Sequence, residues 1–337
     1  PSLIPSCGWG FNGGGGGPAW DSALLLIPWH VHLFTGNKTM IETHYDAMKK
    51  YVDYCSFMAK ENIVSFGLGD WCHHDRNRMV SSALTSTSYY YIDAVLIARF
   101  AGLTGHDYDQ RAYSKLAADI RRAFNQRFYR GAGIYANGEP TALGCALHHG
   151  LVEDATREEV VKKLVNAVEA NGYKSDFGIL GAKYVPRVLA DNGYAEAAYR
   201  IITQPDFPGW AHWLSRGATT LWESWEGSSS LNHIMFGDIS AWMYQYLGGI
   251  TPDPNNPGFK HVIIQPRPVP QLAWVKARHK SPYGMISVAW EKNRHEFKLD
   301  IEIPTGTSAT VILPDTTTTT VDSGVHHYSI AHVVANE

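Results

Sequence analysis

The sequence predicts a mainly α-helical chain that ends in a small antiparallel β domain. From residue 19 to 249, apolar residues recur at three- and four-residue steps, the period of an amphipathic helix. A hinge rich in proline and asparagine, Thr251–Pro257, cannot continue a helix. Beyond residue 258 apolar and polar residues alternate, as in strands that are buried on one face. We therefore place a helical domain at 1–250 and a β domain at 251–337.

The predicted helices are joined by short or glycine-containing loops, which are typical of antiparallel helix pairs. Pro18 comes just before the first helix, where a helix start tolerates proline. Glycine or Asn-Gly ends several of the others. The pattern indicates about nine helices, at 19–35, 38–58, 87–101, 107–128, 141–150, 157–170, 181–191, 194–202 and 233–247.

The β domain is predicted from short segments of alternating character separated by turns. Pro282-Tyr283-Gly284 is one such turn, and the threonine run 316–320 reads as a connection before a last strand. A sandwich is the architecture we expect for this domain. Its strands are predicted at 261–265, 274–279, 285–290, 297–303, 309–313 and 326–330.

Composition excludes several classes of protein. Hydrophobic residues make up 45% of the 337 residues, enough for a packed core and too many for a disordered chain. The 29 lysines and arginines are balanced by 32 acidic residues, whereas nucleic-acid binders carry a basic stripe. The longest apolar run, Ala23–Trp29, is far shorter than the ~18 residues that span a bilayer. We therefore expect no nucleic-acid partner and no membrane partner.

The richest candidate site is the segment from Trp210 to Phe236. Its tryptophans flank two carboxylates, Glu223 and Glu226, in a stretch with little helical periodicity. Indole rings can stack on a pyranose and lower the local dielectric, and a glutamate between them can then act as a general base or nucleophile. The alternative is a buried loop whose glutamates pair with Arg216 or cap the next helix.

A second candidate is the loop Phe66–Asp75, which contains Cys72, His73 and His74, side chains of the types that bind metals. Adjacent residues can rarely all face one ion, and no second His/Cys pair at helical spacing completes a set. We therefore predict no metal site and no cofactor.

The glycine run at 13–17 lacks the lysine of a phosphate-binding loop. We interpret it as a loop that passes close to other backbone or to substrate and leads to Trp20 at a helix start. The four cysteines are too sparse for a disulfide scaffold, and we expect no secretory signal, since Pro1–Pro5 lack a basic start and a long apolar core. The cytoplasm and the periplasm both stay open as compartments.

Several motifs, taken in order, resemble the inverting bacterial α-L-rhamnosidases, glycoside hydrolase family 78. The resemblance covers essentially the whole chain and implies an (α/α)6 barrel followed by a C-terminal β-sandwich. It also implies a hydrolase that releases terminal α-L-rhamnose with inversion. The two most specific motifs are GATTLWESWEG at 217–227 and SLNHIMFGDISAWMYQYLGGI at 230–250, and weaker ones are GPAWDSALLLIPW at 17–29, GDW at 69–71 and PGFKHVIIQPRP at 257–268.

The resemblance also implies roles for individual residues. Glu223 matches the general base, which activates the attacking water. His233 matches a histidine that contacts the sugar, and Trp20 and Trp71 match the walls of the rhamnose subsite. Three further substrate-binding candidates are Asp70, Trp222 and Trp225.

One motif of the family is missing from the sequence. The general acid is a glutamate in a motif similar to Asp-Glu-Arg-x-Gly-Trp-x-Gly-Asp that precedes the AWDSA helix, and only Gly8-Trp9-Gly10 echoes part of it. An (α/α)6 barrel has twelve helices, whereas the sequence predicts about nine. We therefore expect the general acid and about three helices to lie upstream of Pro1.

The resemblance implies a rhamnose-containing oligosaccharide or glycoside as the substrate, and it leaves a homodimer open. Two other functions stay open. A different (α/α)6 inverting glycosidase, such as a trehalase-like enzyme, would share the barrel and the Trp-flanked glutamate but would prefer glucose. A catalytically incomplete carbohydrate-binding fragment would bind rhamnose without hydrolysing a rhamnoside.

Overall fold

The computed structural model describes residues 16–331. The Gly8-Trp9-Gly10 sequence and the glycines before Gly16 lie outside these residues. The described chain forms two compact units, one of residues 16–29 and 39–238 and one of residues 30–38 and 239–331. The division into domains at 1–250 and 251–337 stays a prediction. Within 16–331, no helix is long and apolar enough to cross a membrane.

The first unit is helical, in agreement with the sequence prediction. Short 3-10 turns at Arg76–Arg78 and Asp154–Thr156 interrupt its loops. The helices of the described chain are α1 (Pro18–Asp21), α2 (Ala23–Thr35), α3 (Thr39–Met58), α4 (Ser82–Thr104), α5 (Asp107–Phe128), α6 (Pro140–His148), α7 (Arg157–Ala170), α8 (Ile179–Asp191), α9 (Ala195–Thr203), α10 (Trp210–Ser215) and α11 (Asp238–Trp242).

Helix α4 lies at the centre of this unit. Its N-cap is Ser81, whose hydroxyl accepts a hydrogen bond from the Ala83 N–H (3.1 Å), and its C-cap is Gly105 in the left-handed conformation. Its side chains are buried on nearly all sides, and an apolar stripe of α3 that includes Met48 and Val52 packs in the same cluster. The apolar residues that recur at three- and four-residue steps in α3 therefore form its buried face.

Two parts of the helical prediction need correction. The helix predicted at 233–247 begins only at Asp238 and, after α11, continues as a π-helical turn at Met243–Leu247. Residues 216–237 are irregular, because loop and indole hydrogen bonds replace the helical ones there. The sequence also missed α10, which is too short to show a period.

The second unit contains a six-stranded sheet. The strand order is β1-β2-β5-β4-β3, and β6 pairs with β5 outside this path. All pairs are antiparallel except β2 with β5, which is parallel. The strands are β1 (Ile250–Pro252), β2 (His261–Ile264), β3 (Trp274–Ser281), β4 (Gly284–Lys292), β5 (Glu296–Ile312) and β6 (Thr318–Ala331).

Strands β5 and β6 join the two halves of the sheet, one formed by β1 and β2 and the other by β3 and β4. The first part of β5 pairs with β4 and its last part with β2, while β6 follows β5 along both parts. The register shifts between Ile303 and Ser308, and an irregularity of this kind bends a strand. Buried side chains of both halves, such as Leu299 and Val311, belong to one hydrophobic cluster. A sandwich of two packed sheets is expected for this domain from its sequence. The structure instead has one continuous sheet, whose two halves pack around one core.

The last residues of α2 belong to the second unit. The Gly258 N–H donates to the Leu33 carbonyl (2.8 Å), and the rings of Phe34 and Phe259 are 5.5 Å apart. Gly258 has a φ of 82°, and a Cβ there would lie 2.8 Å from the Gly36 nitrogen. Only glycine permits this close approach of the two backbones.

We predict that Leu299→Ala lowers the free energy of unfolding by about 2–5 kcal/mol, because Leu299 is fully buried and its truncation leaves a cavity. Urea denaturation measures this change. Thr319→Ala, at an exposed position on β6, is the control and should change the free energy by about 0.5 kcal/mol or less. Equal effects of the two substitutions would contradict a core shared by both halves of the sheet.

Candidate active site

Glu223 lies on an irregular hairpin between Leu221 and His233. The Leu221 carbonyl accepts a hydrogen bond from the His233 N–H (2.8 Å), and the Glu223 N–H donates to the Ser230 carbonyl (2.9 Å). The Ser230 N–H donates in return to Oε2 of Glu223 (3.0 Å). No group among residues 16–331 donates to Oε1 in the structure. The hairpin thus orients the carboxylate of Glu223 through one of its two oxygens.

His233 lies on the second arm of this hairpin and is partly buried. Its Nδ1 accepts a hydrogen bond from the Met235 N–H (3.1 Å). In the neutral ring the proton is therefore on Nε2. His233 can thus offer an N–H to a hydroxyl group of a ligand.

Trp225 belongs to a buried aromatic cluster beneath the hairpin. Its ring is fully buried, 4.8 Å from the ring of Trp213 and 4.3 Å from that of Phe236. Its indole N–H donates to the Phe177 carbonyl (2.7 Å). The Trp225 carbonyl in turn accepts a bond from the indole N–H of Trp213 on α10 (2.9 Å). Trp225 therefore supports the loop that carries Glu223.

Trp222 is more open than Trp225. Its ring packs on Gly227, where a Cβ would lie 2.6 Å from the indole, and it lies 5.7 Å from the ring of Trp213. Gly227 has a φ of 71°, so glycine is needed both for the turn and for this contact. Trp222 stays partly exposed next to Glu223.

Asp70 has a carboxylate that is completely buried. Its Oδ2 accepts hydrogen bonds from the Thr141 hydroxyl (2.6 Å) and the Gly178 N–H (2.9 Å). Its Oδ1 accepts from the N–H groups of Leu180 (2.8 Å) and Gly181 (3.1 Å). The carboxylate thus caps the N-terminus of α8, where unpaired N–H groups and the helix dipole favour negative charge.

Trp71, the next residue, is 38% exposed. Its backbone carbonyl accepts a hydrogen bond from the Ile179 N–H of α8 (2.9 Å). A Cβ at Gly178 would lie 2.3 Å from the carbonyl oxygens of Asp70 and Trp71, so the loop and the helix start meet at a glycine. The Asp70 bonds therefore also determine where Trp71 is held.

Trp20 on α1 is connected to the same loop through two glycines. The Leu68 N–H donates to the Gly16 carbonyl (3.2 Å), and a Cβ at Gly17 would lie 2.4 Å from the Cα of Gly67. The ring of Trp20 covers Gly16, where a Cβ would lie 2.7 Å from the indole. This agrees with the interpretation of the end of the glycine run as a loop that passes close to other backbone.

Cys72 shows that this loop and the Glu223 hairpin converge. Burial raises the pKa of its thiol to about 12, and the negative charges of Glu223, Glu226 and Asp70 act in the same direction. Such an effect requires the three carboxylates to lie near one sulfur atom. The structure thus brings together the two segments that the sequence singled out separately.

His73, His74 and Asp176 form a further cluster beside Cys72. Nε2 of His74 lies 3.3 Å and Nε2 of His73 lies 3.9 Å from Oδ1 of Asp176. These ligand-type atoms are close enough together to hold a metal ion. Arg78 also pairs with Asp176, and its guanidinium donates to Glu139 (2.6 Å).

The hydrogen bonds of this cluster favour an ion-pair network over a metal site. The Asp75 N–H donates to Nδ1 of His73 (3.0 Å), so the proton of the neutral ring is on Nε2, the nitrogen that faces Asp176. A protonated nitrogen cannot bind a metal. Burial lowers the pKa of His73, although the Asp70 and Asp176 carboxylates act against this, and Arg78 already neutralises Asp176.

The predicted site residues fall into two groups. Asp70 and Trp225 are buried, and their polar atoms bond to backbone groups and, for Asp70, also to the Thr141 hydroxyl, so both hold other parts of the site in place. Substrate contact by these two also stays a prediction. The other five are at least partly exposed and stay predicted as site residues: Glu223, His233, Trp20, Trp71 and Trp222.

Two residues of the site, Asp176 and Trp213, are not predicted by the sequence. Asp176 lies about a hundred residues from the histidines that it faces, so no local pattern connects them. Trp213 lies in the tryptophan-rich segment that the sequence singles out, but its contact with Trp225 depends on α10, which the sequence does not predict.

Comparisons with known proteins place this site in a family. A model of the bacterial alpha-L-rhamnosidase 6 hairpin glycosidase domain matches residues 1–247. A model of the bacterial alpha-L-rhamnosidase C-terminal domain matches residues 249–327. Among curated proteins, an alpha-L-rhamnosidase of Streptomyces avermitilis is 28% identical over 93% of this chain and 31% of its own length. One from Formosa agariphila is 30% identical over 87% of this chain and 33% of its own length.

Solved structures agree with these matches. The α-L-rhamnosidase of Dictyoglumus thermophilum has a TM-score of 0.88 and 31% identity, covering 94% of this chain and 40% of that one. The Streptomyces avermitilis enzyme complexed with L-rhamnose has a TM-score of 0.90 and 26% identity, covering 96% of this chain and 34% of that one. The chain spans about a third of the length of the curated relatives that it matches.

We predict that Asp70→Ala lowers the free energy of unfolding by about 2–5 kcal/mol, because four buried donors lose their acceptor. Thermal or urea unfolding measures the loss. Asp75→Ala is the matched control, since Asp75 caps only the short turn Arg76–Arg78 through the Asn77 N–H. It should cost about 1 kcal/mol or less, and a loss as large as that of Asp70→Ala would contradict the special role of Asp70.

We also predict that Glu223→Gln speeds the alkylation of Cys72 by iodoacetamide at pH 8 by about two- to threefold. Removing a negative charge lowers the pKa of the thiol, so a larger fraction is the reactive thiolate. Mass spectrometry of the Cys72 peptide gives the rate. Asp119→Asn, which removes a half-buried carboxylate on α5 that pairs with Lys115, is the control. Identical rates in the two variants would show that Glu223 is not close to Cys72.

Proposed function

This chain belongs to the bacterial α-L-rhamnosidase family, and from this membership we propose that it forms part of an inverting glycoside hydrolase that releases terminal α-L-rhamnose. The observation that carries the proposal is the carboxylate of Glu223, held at Oε2 by the Ser230 N–H with Oε1 left to activate water. The solved relative that binds L-rhamnose supports a rhamnoside as the substrate.

Glu223 has the role of general base in this proposal. In an inverting enzyme one carboxylate takes a proton from water on one face of the sugar while a carboxylic acid protonates the leaving oxygen. The two groups are about 6.5–9.5 Å apart, which leaves room for the water. The proposal assigns the base and the sugar-binding side chains to this chain, whose sequence lacks the motif that carries the acid in the family.

The sugar subsite in this proposal is formed by partly exposed aromatic side chains. Trp20, Trp71 and Trp222 can present ring faces to the C6 methyl group and the CH faces of rhamnose. His233 supplies an N–H for a sugar hydroxyl, because its Nδ1 is already used by Met235. Asp70 and Trp225 hold these residues in place from within the protein.

The helical unit is proposed to belong to an (α/α)6 barrel. Its support is the match to the six-hairpin domain model and the packing of sequential helices such as α4 with α5 and α8 with α9. In such a barrel the loops at one end of the helices carry the site. The loop 66–75 and the hairpin 221–233 would be two of them.

We predict that Glu223→Gln reduces kcat on p-nitrophenyl α-L-rhamnoside by about 10²- to 10⁴-fold, because an amide cannot accept the proton of the attacking water. The amide oxygen can still accept the Ser230 N–H bond, so the hairpin is preserved. The protein is expressed from its natural gene, and release of nitrophenol gives the rate.

Glu226→Gln is the matched control, since Glu226 is an exposed carboxylate three residues away. It should keep kcat close to that of the wild type. Near-normal turnover by Glu223→Gln, or α-L-rhamnose as the first product in NMR spectra, would refute the proposed mechanism. Preference for a nitrophenyl glucoside would instead favour a trehalase-like enzyme.

A further inference from the structure

The outer face of the sheet carries an exposed tryptophan among charged residues. Along β3 exposed and partly buried side chains alternate, and Trp274, on the exposed side, is 62% exposed. Residues directly opposite each other on antiparallel strands share a face. Two rows therefore cross this face, Trp274–Glu291–Lys298 and Lys276–Ala289–Asp300. We call these six residues the Trp274 face.

The Trp274 face is concave. A depression of about 370 Å³ is lined by these six residues together with Trp290, and the small side chain of Ala289 leaves room in it. A second depression of about 260 Å³ shares the row Trp274–Glu291–Lys298 and extends to Lys292, Asn293 and Glu296. The row with the indole therefore borders both depressions. The larger one is in the size range of small-ligand sites.

The charges on this surface balance. Three lysines, 276, 292 and 298, face three carboxylates, Glu291, Glu296 and Asp300. Lys298 pairs with Glu296 (3.0 Å), and Asp300 pairs with His327 (2.7 Å). A surface without net charge does not select an anion or a cation. This surface does place ammonium donors and carboxylate acceptors around the indole of Trp274. Both kinds of group can form hydrogen bonds with the hydroxyl groups of a ligand.

The composition of the face argues against a protein partner. The centres of protein interfaces are depleted of lysine, glutamate and aspartate, which predominate here. Among the strands of residues 16–331, β3 pairs only with β4 and is therefore an edge of the sheet. Lys276 and Lys280 lie along this edge, and edge lysines oppose pairing with another strand.

We propose that the Trp274 face binds a neutral oligosaccharide. The indole of Trp274 stacks on one sugar ring, as aromatic faces do on the CH groups of a pyranose. Lys276, Glu291 and Asp300 hydrogen bond to the hydroxyl groups of that ring and its neighbour. Binding at this face involves no step of the reaction at Glu223, so it can be tested with sugars that contain no rhamnose.

The test measures binding of cellohexaose, xylohexaose and mannohexaose by isothermal calorimetry to the protein expressed from its natural gene. We expect at least one of them to bind with a submillimolar Kd, and Trp274→Ala to weaken that binding about tenfold or more. Tyr283→Ala is the matched control, because Tyr283 is an exposed aromatic residue in the turn after β3, outside the Trp274 face. It should leave the Kd unchanged.

Two further measurements complete the test. Trp274→Ala should keep the wild-type melting temperature and the wild-type kcat on the aryl rhamnoside, which separates this proposal from the one for Glu223. No binding of any of the three sugars, or equal binding by wild type and Trp274→Ala, would overturn the proposal. A wild-type dimer that Trp274→Ala converts to a monomer in sedimentation would identify the face as a self-association surface and would also overturn it.

Discussion

The buried carboxylate of Asp70 is the interaction on which the arrangement of the site depends. A charge inside a protein is tolerated only when its oxygens are fully hydrogen bonded, and Asp70 meets this condition with four donors from α6 and the start of α8. These bonds bring Gly178 so close to the loop that a Cβ would collide with the carbonyl oxygens of Asp70 and Trp71. The position of Trp71 is therefore determined by the hydrogen bonds with which Asp70 caps the N-terminus of α8.

The irregular segment that carries Glu223 is held in place by hydrogen bonds from tryptophan side chains to backbone carbonyl groups. Backbone groups that no helix or strand satisfies must find other partners when they are buried. Here three indole N–H groups fill that role, donating from Trp210 to Phe236, from Trp213 to Trp225 and from Trp225 to Phe177. The rings also fill the space beneath the hairpin. A segment without regular structure can thus hold the carboxylate of Glu223 in one orientation, as its proposed role of general base requires.

The second unit combines a closed interior with a polar exterior. Alternation along β5 directs Leu299 and Ile301 into the common core and Lys298 and Asp300 to the outer face. The bend between residues 303 and 308 lets one long strand serve both halves of the sheet. The same alternation that makes the core also builds the Trp274 face, because every second residue of a strand must face outwards.

The sequence by itself determined the helical and β regions, most element positions, the family resemblance and the candidate base Glu223, because periodicity and short motifs are local properties. It did not reveal that Asp70 and Trp225 face inwards, although their motifs were recognised, since motif identity does not specify on which side of a loop a residue lies. It also could not show that Asp176 meets His74 or that Glu223 lies near Cys72. Only the tertiary structure decided these points, because hydrogen bonds and charges between segments tens to more than a hundred residues apart exist only after the chain has folded.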